Sequence, residues 1–256
     1  MTERPDSGSG VRLVVGASRG IGLALVEAQL ADGSVRRTIA TCRPGSDRAG
    51  LDRLAERHGG RLECVELDVT NEASLAAFAT LLRGVDGGVD LAIHAAGLLH
   101  DGALRPEKAL DECQPDHLRR LFEVNSIGPL MVASALLQAQ GRRRRFTYAA
   151  LSAMVGSIGD NRLGGWYGYR ASKAALNQFM RTLAIECRVR YPRATILAIH
   201  PGTTDTDLSR PFQRNVPSGK LYSPPTPAAR LLPGIWSAHG PRTGCFLEGE
   251  GGELPW

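Results

Sequence analysis

Tyr169-Arg170-Ala171-Ser172-Lys173 places a phenol and an ammonium four residues apart. On a helix, positions i and i+4 share a face, so the two groups can lie together. A phenol titrates near pH 10. Proton exchange near neutrality asks for a pKa about 2–3 units lower, which a neighbouring ammonium favours. The lysine stands out for a second reason. Of 31 Lys+Arg residues only three are lysine: Lys108, Lys173 and Lys220. A compact ammonium at this spacing can do what the planar fork of arginine does not.

A second chemical cluster is Gly16-Ala17-Ser18-Arg19-Gly20-Ile21-Gly22, between a short apolar run and an amphipathic segment. Backbone without Cβ can approach a pyrophosphate closely, and a helix N-terminus supplies free N–H groups and partial positive charge. The loop, with Gly16, Ser18, Arg19, Gly20, Ile21 and Gly22, is therefore predicted to bind a dinucleotide. An NAD site places an acid at the end of the second strand for the ribose 2′-hydroxyl. Here that strand ends Ala40-Thr41-Cys42-Arg43, with no acid. Arg43 and Arg19 suit a 2′-phosphate, so the predicted cofactor is NADP(H).

These groups need elements to position them. Short β-branched or apolar runs alternate with longer amphipathic segments, the βαβ pattern of a parallel sheet. Strands are predicted at 11–15, 37–42, 62–67, 89–93, 146–151, 195–199 and 245–247. Helices are predicted at 20–31, 47–58, 72–82, 115–140, 167–190 and 227–237, with Thr70 as the N-cap of the third. Residues 201–227 form the longest irregular stretch. Following a strand, this loop would overhang the ligand crevice. Its Leu208, Phe212, Val216, Leu221 and Tyr222 point to a lipophilic substrate. Residues 11–256 read as one domain behind a polar, Ser/Gly-rich tail over 1–10, which does not have the make-up of a signal peptide.

Together the sequence resembles the short-chain dehydrogenase/reductases, in their classical form. The motifs that carry the resemblance are the glycine loop, Leu67-Asp68-Val69-Thr70, Ala96-Gly97, Asn125, the Tyr169–Lys173 pentapeptide and Pro201-Gly202, in family order from about residue 11 to the end. Gly164-Gly165-Trp166-Tyr167, His200-Pro201-Gly202-Thr203 and the Leu254-Pro255-Trp256 terminus are similar to the branch containing the myxobacterial C-factor. The resemblance implies a doubly wound Rossmann fold with seven parallel strands, helices on both faces, and a homodimer or homotetramer. It implies that Tyr169 gives a proton to a carbonyl, and that Lys173 binds the nicotinamide ribose and lowers the tyrosine pKa. Asn125 would hold a water linking Lys173 to solvent. Asp68 and Val69 would line the adenine pocket, Pro201, Gly202 and Thr203 would border the nicotinamide, and Ala96 and Gly97 would also bind the cofactor.

Two positions depart from the family pattern. A serine that polarises the carbonyl usually lies about 13 residues before the tyrosine. Here Ser152 is 17 before and Ser157 is 12 before, and the aligned position is Ala153. Ser152, which ends a strand, is the first choice and Ser157 the second. The family's Asn-Asn-Ala-Gly reads His94-Ala95-Ala96-Gly97, with His94 expected to be a satisfied core histidine.

Composition narrows the partners. Hydrophobic residues make up 43% and charged residues 22%, a globular balance. No uninterrupted apolar run nears the roughly 18 residues of a membrane span. Five scattered cysteines without a CxxC pair argue for a reducing, cytoplasmic setting, and six dispersed histidines argue against a metal site. The tract Arg142-Arg143-Arg144-Arg145 lacks interleaved aromatics and reads as a solvated helix end, not a nucleic-acid contact. The expected activity is hydride transfer between NADP(H) and a carbonyl or secondary alcohol. The alternative is a nucleotide-binding signalling or sensor protein of the C-factor type, a reading that Ala153 favours.

Overall fold

In the computed structural model, residues 10–238, 240 and 242–256 are described, so the expected tail lies outside them save for Gly10. Seven strands build one sheet: β1 (Val11–Val15), β2 (Arg37–Cys42), β3 (Leu62–Glu66), β4 (Leu91–His94), β5 (Phe146–Leu151), β6 (Ala194–His200) and β9 (Phe246–Glu248). Their order is β3-β2-β1-β4-β5-β6-β9, every pairing parallel. The order reverses between β1 and β4, which opens a crevice at their carboxyl ends.

Strand alternation sorts the core into two layers. Val11, Leu13 and Val15 of β1, with Phe146, Tyr148 and Ala150 of β5, face α3 (Glu72–Arg83), α5 (Gly128–Ala139) and α6 (Tyr167–Arg190). Val14, Ala149, Leu151 and Leu197 face α1 (Gly20–Ala31), α2 (Ala49–His58) and α7 (Pro225–Ser237). Both faces are thus covered, which is why the strands read as near-continuous apolar runs.

Some boundaries differ from the sequence expectation. Asn71, not Thr70, caps α3: its Oδ1 accepts from the Ser74 N–H at 2.9 Å. Thr70 instead turns its hydroxyl to Asp68. The predicted helix over 115–140 is α4 (Pro115–Phe122), a five-residue π-helical segment at Glu123–Ile127, and α5. Over its 25 residues this run carries an 18-residue window with mean hydropathy of 1.2, enough by length and composition to span a bilayer; 56% of that window is buried in the fold. The stretch expected to be irregular contains β7 (Thr203–Thr204) and β8 (Leu221–Tyr222), paired in parallel, and a 3-10 turn at Arg210–Asn215. α7 begins two residues early because Pro225 suits the first helical turn.

Candidate active site

A cleft of about 690 Å³ lies over the crevice between β1 and β4. The glycine loop forms its floor, and the reason is steric. A Cβ on Gly22 would lie 2.1 Å from the Gly16 carbonyl oxygen. Gly16 has φ +80°, and a Cβ there would lie 2.6 Å from the Ala96 backbone. The Ala17 N–H donates to the Thr41 carbonyl at 2.7 Å, which holds the loop against β2. α1 starts at Gly20 with no side-chain cap and no acid in its first turn, so its positive end remains for an anion.

The residues expected to bind the cofactor, with Tyr169, Lys173 and Ser152, line this cleft, whereas Asn125 and Ser157 do not. Gly16, Ser18, Arg19, Gly20, Ile21 and Gly22 lie at one end with Arg43, Asp68 and Val69. Ala96, Gly97, Pro201, Gly202 and Thr203 lie toward Tyr169, Lys173 and Ser152. Arg19 is not a free cation: its Nη1 lies 2.8 Å from Asp207 Oδ2, on the segment after β7. Arg43 is exposed at the rim. Burial acts to raise the Asp68 pKa, but hydrogen bonds from the Thr70 N–H and hydroxyl, at 2.9 and 2.7 Å, hold it below the usual carboxylate range.

Tyr169 and Lys173 share one face of α6, and both are buried. Lys173 Nζ donates to the Leu151 carbonyl at 2.9 Å and lies 5.9 Å from the centroid of the Tyr169 ring. Burial lowers the lysine from its usual 10.5 to about 8. Burial also pushes the tyrosine pKa up, opposite to the expected direction. The phenol is therefore protonated near neutrality, the state that gives a proton to a carbonyl.

Asn125 is fully buried one layer behind the cleft, in the π-helical segment. Its Nδ2 donates to the Leu98 carbonyl and to Ser172 Oγ, at 2.7 and 3.1 Å, and its Oδ1 accepts from the Leu98 N–H at 2.7 Å. Both amide hydrogens are thus spent, and one acceptor lone pair remains. Ser152 lies in the cleft wall, but its hydroxyl donates to Asn177 Oδ1 at 2.6 Å. Ser157 lies outside the cleft lining and donates to the Trp256 carbonyl at 3.1 Å. The aligned position, Ala153, presents only a methyl group, packed with Trp166 and Tyr169.

The expected apolar wall is present in part. Leu208, Phe212 and Val216 line the cleft, whereas Leu221 and Tyr222 are taken up in β8. Sequence reading missed Trp166. It stands in the left-handed region at φ 53° directly before α6, and its ring packs edge-on to Tyr169 and Phe212, with centroids 6.2 and 5.1 Å apart. The Gly164-Gly165 pair before it, both at positive φ, was the available signal. His94 is buried but only half satisfied. The Tyr148 hydroxyl donates to the Pro129 carbonyl, so His94 Nδ1 is the donor to Tyr148 at 3.2 Å, and Nε2 has no partner among the described residues. Burial, with Lys173 nearby, lowers its pKa to about 3.

Known proteins are similar to this chain in sequence and in fold. The chain is 32% identical to 1-hydroxy-2-glutathionyl-2-methyl-3-butene dehydrogenase of Rhodococcus sp. (strain AD45) over 247 residues, 95% of this chain and 98% of that one. It is 32% identical to the C-signal protein of Myxococcus xanthus over 187 residues, 71% of this chain and 100% of that one. Likeness to the C-factor branch is thus no stronger in identity than likeness to the Rhodococcus enzyme. An NADPH-bound carbonyl reductase from chicken fatty liver superposes with a TM-score of 0.82 at 28% identity, covering 98% of this chain and 96% of that one. A family model described as short chain dehydrogenase matches residues 11–217, from β1 through the cleft-covering segment. With the sheet order, the glycine floor and the buried tyrosine–lysine pair, that match establishes that the chain belongs to the short-chain dehydrogenase/reductase family.

Proposed function

We propose that this protein is an NADP(H)-dependent oxidoreductase acting on a carbonyl compound or the matching secondary alcohol. One observation carries the reading: the glycine floor and the buried Tyr169–Lys173 pair meet in a single cleft. The steric demand for glycine at 16 and 22 fits a pyrophosphate lying against the backbone. Ser18, Gly20 and Ile21 would border it, Arg19 and Arg43 would meet the 2′-phosphate, and Asp68 and Val69 would hold the adenine. Ala96, Gly97, Pro201, Gly202 and Thr203, toward Tyr169 in the same cleft, would hold the nicotinamide half. The NADPH-bound carbonyl reductase of the same fold supports the phosphorylated form of the cofactor.

The nicotinamide supplies or takes the hydride when bound. Tyr169 then gives its proton to the carbonyl oxygen as the carbon is reduced. Lys173, lowered by burial to about 8, exchanges protons near neutrality and is held by Leu151. The remaining lone pair of Asn125 is the acceptor for a water on that route. Ser152 is the hydroxyl on the same wall, and it polarises a carbonyl only by turning away from Asn177. Trp166, Leu208, Phe212 and Val216 favour a lipophilic substrate. Five free cysteines suit a reducing cytoplasm, and exposed Ile127, Met131, Ile185 and Val189 suit a homo-oligomer.

The test follows NADPH and NADH absorbance against a panel of ketones, aldehydes and quinones. Turnover of at least one of them, with NADPH bound more tightly than NADH, is expected. NADPH binding without turnover of any would favour the second reading, a nucleotide-binding signalling protein, which the missing hydroxyl at Ala153 supports.

A further inference from the structure

The N-terminus of α6 carries Tyr169 at its third residue but has no local cap. Trp166 caps nothing with its side chain, and the first turn holds no acid. A cap of the usual kind at position 166 would be Ser, Thr, Asp or Asn, and would remove the indole from the cleft. The cap comes instead from a residue distant in sequence. Glu107, in the segment between β4 and α4, is 2% exposed. Its Oε2 accepts from the Gly168 N–H at 3.1 Å, across 61 residues of sequence. Its backbone carbonyl accepts from the Trp166 N–H at 2.5 Å. Its Oε1 faces the same turn: a Cβ on Gly168 would lie 2.9 Å from it. Among the described residues Oε1 has no hydrogen-bond partner.

A buried carboxylate is costly unless something compensates it. Here the compensation is the positive end of α6 and one N–H of its first turn, that of Gly168, while the Trp166 N–H is met by the Glu107 backbone carbonyl. We propose that Glu107 is a positioning residue for the reaction. It fixes the first turn of α6 from outside, and so sets where the Tyr169 hydroxyl and the Trp166 ring stand in the cleft. The inference rests on Tyr169 being the proton donor.

The experiment compares Glu107→Gln, Glu107→Asp and Glu107→Met with wild type and Tyr169→Phe. It reads kcat, KM, NADPH affinity and melting temperature. Gln keeps an acceptor oxygen at the same reach, so kcat stays within about threefold. Asp withdraws the acceptor and Met removes it at similar volume, so kcat falls roughly tenfold or more, because small misplacements of a reacting group are costly. NADPH affinity, set at the other end of the cleft, stays within about twofold. Should Met fail to fold, Asp, which keeps the charge, decides. Wild-type kcat in Asp or Met, with only the melting temperature lowered, would overturn the proposal. So would a Gln variant as impaired as Asp. Wild-type turnover in Tyr169→Phe would instead overturn the reading of Tyr169 beneath it.

Discussion

Lys173 Nζ lies 5.9 Å from the centroid of the Tyr169 ring, one helical turn away, with its hydrogen bond given to the Leu151 carbonyl and not to the phenol. Burial therefore acts on each group separately: the ammonium is destabilised and the phenol is kept protonated. The buried ammonium is costly to fold, a trade expected where function opposes stability.

That trade is measurable. Lys173 drops from 10.5 to about 8 on folding, so the ammonium is carried at a cost below pH 8. Between pH 8 and 10.5 the unfolded chain holds the proton and the folded chain does not, so stability from this group rises with pH there. Lys173→Met should abolish turnover yet stabilise the nucleotide-free protein by about 3 kcal/mol at pH 7. The gain should fade toward pH 10.5. Denaturant unfolding of both proteins at pH 7, 8 and 9 checks it, and a variant less stable than wild type at pH 7 would count against it.

Arg43 is exposed at the rim, whereas Arg19 is tied to Asp207. The phosphate contact should therefore depend chiefly on Arg43. Arg43→Ala is expected to weaken NADPH binding by about 10–30-fold while leaving NADH within about twofold. Titration by cofactor fluorescence distinguishes this from an equal loss for both nucleotides.

Ala153 offers a methyl where a donor to the carbonyl would stand, and the Ser152 proton is committed to Asn177. One well-placed donor to developing oxyanion charge contributes about 100-fold or more in established sites. Ala153→Ser should raise kcat by roughly tenfold on a carbonyl substrate, with Ser157→Ala changing kcat little. A fall in kcat for Ala153→Ser would mean that the apolar wall matters more than the missing hydroxyl.

Two histidines, the buried His94 and the partly exposed His200 at the cleft wall, should make the fold acid-sensitive. His94 is lowered to about 3 and His200 to about 4, both chiefly by burial. Each is neutral when folded, and below pH 6.5 the unfolded chain gains a proton that the folded chain refuses, so stability is lost as pH falls. At pH 5 the loss is about 2 kcal/mol for each. His94→Asn should halve the slope of stability against pH between 6.5 and 5, as read from urea midpoints. An unchanged slope would show that His94 takes up its proton alike in the folded and unfolded chain, against the lowered pKa.

Much of this arrangement was legible in the chain because its signals are local. The run from Val11 through Gly22 carries strand, turn and helix start in twelve adjacent residues. The tyrosine–lysine spacing needs only a helix to bring the two together. What escaped depends on distance or on irregular backbone. The π-helical segment that holds Asn125 lies inside a stretch, 115–140, that reads as one continuous helix. Asp207 reaches Arg19 across 188 residues, and Glu107 reaches Gly168 across 61, so neither pairing leaves a nearby pattern to read. The raised tyrosine pKa follows from burial that only the folded packing supplies.

The most direct test of the account is single-substrate turnover by Tyr169→Phe, with NADPH affinity measured on the same preparation. The substitution removes one hydroxyl from a buried ring and leaves the glycine floor untouched. The expected result is NADPH binding within about threefold of wild type and kcat reduced by about 1000-fold or more. Turnover within tenfold of wild type, with NADPH still bound, would contradict the assignment of Tyr169 as the proton donor.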